Sequence, residues 1–253
     1  HAARTEEAVR AGFAKINDVT ELFSLVEASA LHTDAVTQLV RHSALLDPTS
    51  PPLVFRFAQA EITRMSELLK SLGEGNVIYE GEDRDWLLAL ARSAELSIDA
   101  TSLTTVDAGG TGYVDGGLWT TDLGQRYLQA QREAVRRGVR IRRIFVIVRP
   151  PNHDNDADVL AVCRPQQEIG IEVRVLDSTG LPSNALFDFI LFDQAISYEV
   201  TPATRVDESA PPTILNTRLE LHPSRVRDRI QRFDQLWSAA WEVGERGSPP
   251  VTR

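Results

Sequence analysis

Cysteine, methionine and lysine are nearly missing from this 253-residue chain, which has one Cys, one Met and two lysines, Lys15 and Lys70. A lone cysteine, Cys163, excludes an internal disulfide, and no Cys/His cluster shows zinc-ligand spacing. No metal and no cofactor are expected, and a reducing, cytoplasmic compartment fits best. Long apolar runs are missing too. None approaches the roughly 20 residues that cross a bilayer, and no signal-peptide pattern is visible. The first residue is His1 rather than methionine, so the expectation is a piece of a longer protein, the soluble part of a membrane-anchored one included. Positive charge is scarce as well. Against 27 Lys and Arg stand 36 Asp and Glu, a formal net charge of -9, which repels phosphate backbones and makes nucleic acid an unexpected partner.

What is present is an ordinary globular composition, 42% hydrophobic and 25% charged. The length suffices for one α/β domain with an added element. Residues 5–28 carry Val9, Ile16, Val19, Phe23 and Val26 at spacings of three and four, one face of a helix that packs on the neighbouring domain or pairs with another subunit. A second helix is predicted over 31–46, with Ala35, Val36, Leu39, Val40 and Leu46 inward. Asp47–Pro52 breaks it. The third, over 53–72, shows Phe57, Ile62, Met65, Leu68, Leu69 and Leu72. Residues 1–75 are therefore read as a helical region, 76–243 as an α/β domain and 244–253 as a flexible tail.

From Asn76 onward, short apolar runs alternate with helical segments. Strands are predicted at 77–79, 96–103, 139–148, 171–176 and 213–221, and helices at 83–94, 122–137, 156–169 and 223–243. Thr120 or Thr121 caps the helix that begins at Asp122, and Gly138 stops it. In the final helix Val226, Ile230, Phe233, Leu236, Trp237, Ala240 and Trp241 share one face.

The stretch Asn184-Ala-Leu-Phe-Asp-Phe-Ile-Leu-Phe-Asp193, followed by Gln194–Val200, reads as two buried strands joined tightly, with an acid closing the first. That placing of Asp193 resembles the phospholipase D-like superfamily, whose signature H-x-K-x-x-x-x-D sets a histidine nucleophile, a phosphate-binding lysine and an acid on one strand and the turn after it. In this register Leu186 stands at the histidine position and Asp188 at the lysine position. No His-x-Lys occurs anywhere in the chain. The order of elements, Val135-Arg-Arg-Gly-Val-Arg-Ile141 before a strong strand, Ile169-Gly-Ile171 before a shorter one and Phe233-x-x-Leu-Trp237 in the closing helix are also similar to one repeat of that fold. The resemblance implies a single phospholipase D-like mixed sheet flanked by helices, preceded by the helical region, and a homodimer that sets two sites face to face. It implies no phosphodiester chemistry. Leucine cannot attack phosphorus, and an aspartate where the cation belongs repels phosphate.

Four residues are candidates for ligand binding: Trp119, Thr121, Asp188 and Asp193. Asp193 either orients a ligand or caps a turn by accepting backbone N–H groups, the commoner use of a strand-end aspartate. Asp188 and Asp193 could instead share a proton or a cation. Trp119 offers a ring for ligand stacking or for simple packing. The loop Gly109–Gly117 is an anion nest or a rim loop, without the lysine of a phosphate-binding loop. His153 with Asp154 and Asp156 reads as a metal trio or as a solvated loop, and His222 with Arg225 and Asp228 as a superficial catalytic trio or as a helix start. No catalytic residue is assigned. The expectation is an inactive domain used for regulation, ligand sensing or assembly, with an unknown small molecule or protein as partner. The rivals are a phosphoesterase with machinery relocated to Asp188 and Asp193, and the effector-binding domain of a transcription regulator.

Overall fold

The computed structural model describes residues 33–81, 83–103, 117–147, 156–178, 187–202 and 214–243, with a few helical positions before residue 33. The chain divides into two compact units, His1–Met65 and Ser66–Arg253. Most of the helix expected at 5–28, with Val9, Ile16, Val19 and Phe23, lies outside the described residues; positions 24–28 are helical. Helix α1 (Thr33–Ser43) follows, and α2 (Pro52–Gly73) begins after the proline break. The α1 stripe was expected inward and is instead open at Leu39, 40% exposed, and Val40, 60% exposed; on α2, Phe57 is 65% and Met65 47% exposed. A stripe selects the face a helix would bury; it does not supply the layer that covers it.

The last turns of α2 carry Leu68 and Leu72 onto the core of the second unit. After them come β1 (Asn76–Glu80), α3 (Arg84–Ser93), β2 (Ser97–Leu103), a 3-10 turn (Gly117–Thr120), α4 (Asp122–Arg136), β3 (Arg140–Ile147), α5 (Asp156–Glu168) and β4 (Glu172–Asp177). The chain then runs through β5 (Asp188–Phe192), β6 (Ile196–Pro202), β7 (Ile214–Glu220), α6 (Pro223–Ala239) and β8 (Trp241–Glu242). One mixed sheet of eight strands results, in the order β1-β7-β6-β5-β2-β3-β4-β8. Strands β2, β3 and β4 run parallel, and their neighbours pair antiparallel. The expected α/β class, a mixed sheet flanked by helices with a helical region before it, is the one observed.

Helices cover both faces. On one, Leu87, Leu88 and Ala91 of α3, Leu123, Tyr127 and Ala130 of α4 and Val159, Val162 and Cys163 of α5 pack on Ile98, Ile141 and Phe145. On the other, Val226, Phe233 and Leu236 of α6 pack on Ile144, Val146, Phe189 and Leu191. Strand side chains alternate between faces, so the adjacent Arg142 and Arg143 of β3 point to opposite layers and neither reaches open solvent. Arg142 lies under α6. Its Nε and Nη2 donate to Asp99 Oδ1 at 2.7 Å and Oδ2 at 2.9 Å, while the guanidinium sits 4.8 Å from the Phe233 ring centre and 5.4 Å from that of Trp237.

One boundary departs from the periodicity. Trp241 continues the apolar face of α6, yet the helix stops at Ala239, Ala240 turns extended, and Trp241 and Glu242 pair with Val175 and Arg174 of β4. The open edge of β4 offers unpaired backbone groups that the last turn of a helix cannot use. Arg174 reinforces the change by donating to the Trp237 carbonyl at 2.8 Å with its guanidinium 4.5 Å from the Trp237 ring centre.

The Arg142–Asp99 pair is nearly closed to water, its side chains 12% and 2% exposed. Removing one member of such a pair leaves a buried charge uncompensated. Asp99→Ala is expected to lower unfolding free energy by about 3 kcal/mol, read as a drop in the urea midpoint at unchanged slope.

Candidate functional site

Asp193 sits in the hairpin turn between β5 and β6. Both central residues take left-handed backbone conformations, Asp193 at φ 51° and Gln194 at φ 54°, and the Ala195 N–H closes the turn on the Phe192 carbonyl at 2.9 Å. This suits the right-handed twist of the flanking strands, and aspartate tolerates the conformation better than most residues. The turn aims the carboxylate at the loop between α3 and β2. There it accepts the N–H groups of Glu95 at 3.0 Å, Leu96 at 2.8 Å and Ser97 at 2.9 Å, and the Asp193 N–H donates to the Ser97 carbonyl at 2.8 Å. Burial pushes the carboxyl upward, but the backbone donors of Glu95, Ser97 and Leu96 together outweigh it and hold the pKa below its ordinary value.

Asp188 occupies the other end of β5. Five residues at about 3.3 Å each separate the two acids by roughly 16 Å, so they do not share a proton or a cation. Because β5 runs against β2, Asp188 lies at the carboxyl end of the parallel strands, where open α/β sheets place their ligand crevices, and Asp193 at the amino end. The Thr101 hydroxyl accepts the Phe189 N–H at 2.9 Å and lies 3.0 Å from Asp188 Oδ1 and 3.1 Å from the Phe189 carbonyl. Its single proton serves one of these oxygens at a time. Leu186, the Asp107–Gly116 loop, His153 and Asp154 lie outside the described residues.

Trp119 and Thr121 sit together at the start of α4. Thr121 is the N-cap. Its hydroxyl accepts from the Gly124 N–H at 3.1 Å and donates to the Leu118 carbonyl at 2.6 Å. Gly124 is required here, since a Cβ would collide with the Leu118 carbonyl and come within 2.9 Å of Trp119 Cα. That contact presses the 3-10 turn onto the helix and tucks the Trp119 ring under it. The ring is 7% exposed, stacks on Tyr127 with centroids 6.1 Å apart and meets Phe145 edge-on at 6.2 Å.

Beneath Trp119 is a polar cluster that the periodicity argument did not single out. The Arg143 guanidinium lies 4.4 Å from the Trp119 ring centre and 5.5 Å from that of Tyr127. Nη1 donates to Gln166 Oε1 of α5, and Nη2 is 3.5 Å from the Tyr127 hydroxyl. Arg143 is 1% exposed, and Gln131 and Cys163 are fully buried. Burial pushes the Cys163 thiol up to about 12, with Arg143 pulling the other way, so it stays protonated and unreactive at neutral pH. The signal for this cluster was the pair Arg142-Arg143 itself: in a strand covered on both faces, two consecutive arginines must both be buried.

Among the described residues no group of three or more His, Cys, Asp or Glu side chains could hold a metal ion, and no helix is long and apolar enough to cross a membrane. His222 is the N-cap of α6 without a side-chain cap bond, its N–H donating to Glu220 Oε1 at 3.0 Å.

A mixed eight-stranded sheet covered by helices on both faces, with Asp188 at the carboxyl end of three parallel strands and Asp193 at the amino end, defines the class as an α/β domain. Within it, residues 112–245 match the family described as Domain of unknown function (DUF6879), and the chain belongs to that family. No curated protein matches it. Solved structures show weak similarity to phospholipase D-family folds. The phospholipase D family member Nuc from Salmonella typhimurium is 15% identical, with a TM-score of 0.45 over 66% of this chain and 97% of its own. NucT from Helicobacter pylori is 11% identical, with a TM-score of 0.42 over 66% and 98%. The archaeal chromatin protein TrmBL2 is 13% identical, with a TM-score of 0.43 over 75% and 65%.

Replacing Asp193 by Ala strands three backbone donors and is expected to cost about 1–3 kcal/mol, measured by denaturant unfolding. Because the folded pKa is depressed, the contribution is complete above the unfolded carboxyl pKa, about 4, and fades as pH falls through the lower folded value. Asp193→Asn keeps one acceptor and tolerates the turn. Its stability should lack that increment of acid loss in unfolding curves taken from pH 5 to pH 2.

Proposed function

We propose that this domain is a catalytically silent relative of the phospholipase D-like fold, serving as a ligand-sensing or assembly module that works as a homodimer. The observation that carries this reading is the engagement of Asp193. It is the one position matching the family's H-x-K-x-x-x-x-D signature, and its carboxylate is committed to three backbone N–H groups, a role in building the sheet and not in moving a phosphoryl group. Asp188, at the position of the phosphate-binding lysine, adds negative charge where a phosphate would need a cation. The separation of the two acids along β5 also weighs against a relocated phosphoesterase that uses them jointly. Open apolar side chains on α1 and α2 support subunit contact through the helical region; the sheet edge is the alternative surface.

Two measurements test this. With bis(4-nitrophenyl) phosphate and Mg²⁺, Mn²⁺ or Zn²⁺, no hydrolysis above the metal-only rate is expected, and hydrolysis abolished by Asp188→Asn would overturn the reading in favour of an enzyme. In sedimentation the chain is expected at twice its monomer mass. A monomer at every concentration would remove the assembly role.

A further inference from the structure

Among the described residues Arg143 is a cation without a counter-ion. No carboxylate among the described residues pairs with it, and its Nε has no hydrogen-bond partner. In contrast, its neighbour Arg142 is neutralised by Asp99 and Asp234, and Arg229 by Glu199. An arginine cannot shed its proton in a protein. Contacts to the Trp119 and Tyr127 rings contribute about 0.5–2 kcal/mol each, and the amide oxygen of Gln166 is a neutral acceptor. Desolvating a full charge costs several kcal/mol. The contacts present do not offset it.

Nearby polar atoms are unsatisfied as well, two N–H donors and one amide oxygen. Trp119 Nε1 and both amide atoms of Gln131 are buried with no hydrogen-bond partner. Gln131 lies four residues beyond Tyr127, on the same face of α4, and Trp119 lies against Arg143 itself. A positive charge and unused N–H groups, all more than nine-tenths buried, thus concentrate on one face of the sheet beneath α4 and α5. Random packing defects leave isolated orphans, whereas Arg143 Nε, Trp119 Nε1 and Gln131 Nε2 are all donors, with Gln131 Oε1 the one acceptor beside them.

We propose that Arg143, Trp119 and Gln131 form the receptor for a compact oxyanion, the carboxylate or phosphate group of a small molecule. Arg143 supplies the charge. The indole N–H and the Gln131 amide donate to the anion's oxygens, and Gln166 and the aromatic rings fix the guanidinium's orientation. This names the ligand class for the sensing role above and rests on that reading. Binding requires no catalytic group and leaves Asp188 and Asp193 in place.

The test follows the melting temperature of the full chain in phosphate and in benzoate, each against sodium chloride at equal ionic strength. A tenfold excess of anion over its dissociation constant is expected to raise Tm by roughly 3–6 °C. A response to phosphate alone assigns a phosphate ester as ligand, and one to benzoate alone assigns a carboxylic acid. Arg143→Met keeps the length and apolar stem and should abolish the response without lowering Tm in chloride. Trp119→Phe keeps the ring stack but removes the donor, and should weaken apparent affinity roughly tenfold. Gln131→Leu decides the matter if Arg143→Met does not fold. An unchanged response in Arg143→Met or in Gln131→Leu, or no response in wild type beyond the chloride control, overturns the proposal. Hydrolysis of the diester would overturn the silent-domain reading alone, so the two failures are separately visible.

Discussion

Where β2 enters the sheet depends on one carboxylate. The strand is central, paired with β5 on one side and β3 on the other, and its first residues come off α3 with their N–H groups facing away from any ladder. Asp193 collects those groups from across the sheet, so the β5–β6 hairpin and the α3–β2 loop fix one another. The residues joined are nearly a hundred positions apart. A side chain rather than a strand pairing makes that long-range connection, and the register Ile98↔Phe192, Asp99↔Leu191, Ala100↔Ile190 continues from it.

Strand β3 divides the molecule's electrostatics between two layers. Arg142, enclosed by Asp99, Asp234, Phe233 and Trp237, is satisfied and holds α6 to the sheet. Arg143, one residue on and facing the other way, has aromatic and amide company but, among the described residues, no opposite charge. The same side chain is thus structural on one face and unsatisfied on the other, and the difference lies wholly in the partners that each layer presents.

Much of this was legible in the chain. Apolar alternation and the Pro and Gly punctuation marked the strands and helices of the α/β unit within a residue or two, because both signals are local: Gly138, for example, stops α4 at φ 94° as its position implied. The strand-end acid was readable as a backbone acceptor for the same reason. Its partners were not, since nothing local connects residue 193 to residues 95–97. The end of α6 was misread because Trp241 satisfies the helical period and also suits an edge strand, and only the neighbouring β4 decides between them. Arg143 was hidden by its chemistry, since a charged residue inside a strand is ordinarily taken as solvent-facing and both faces here are covered.

The two-residue strand β8 has a practical bearing on where this domain ends. Among the described residues Trp241 and Glu242 close the outer border of β4, with Arg174 anchoring the helix end that delivers them. A fragment cut at Ala240 would retain every helix and lose that closure, presenting a bare parallel-strand margin to other molecules in a crowded solution. Trp241 therefore does two things at once, packing against the core and covering a strand margin.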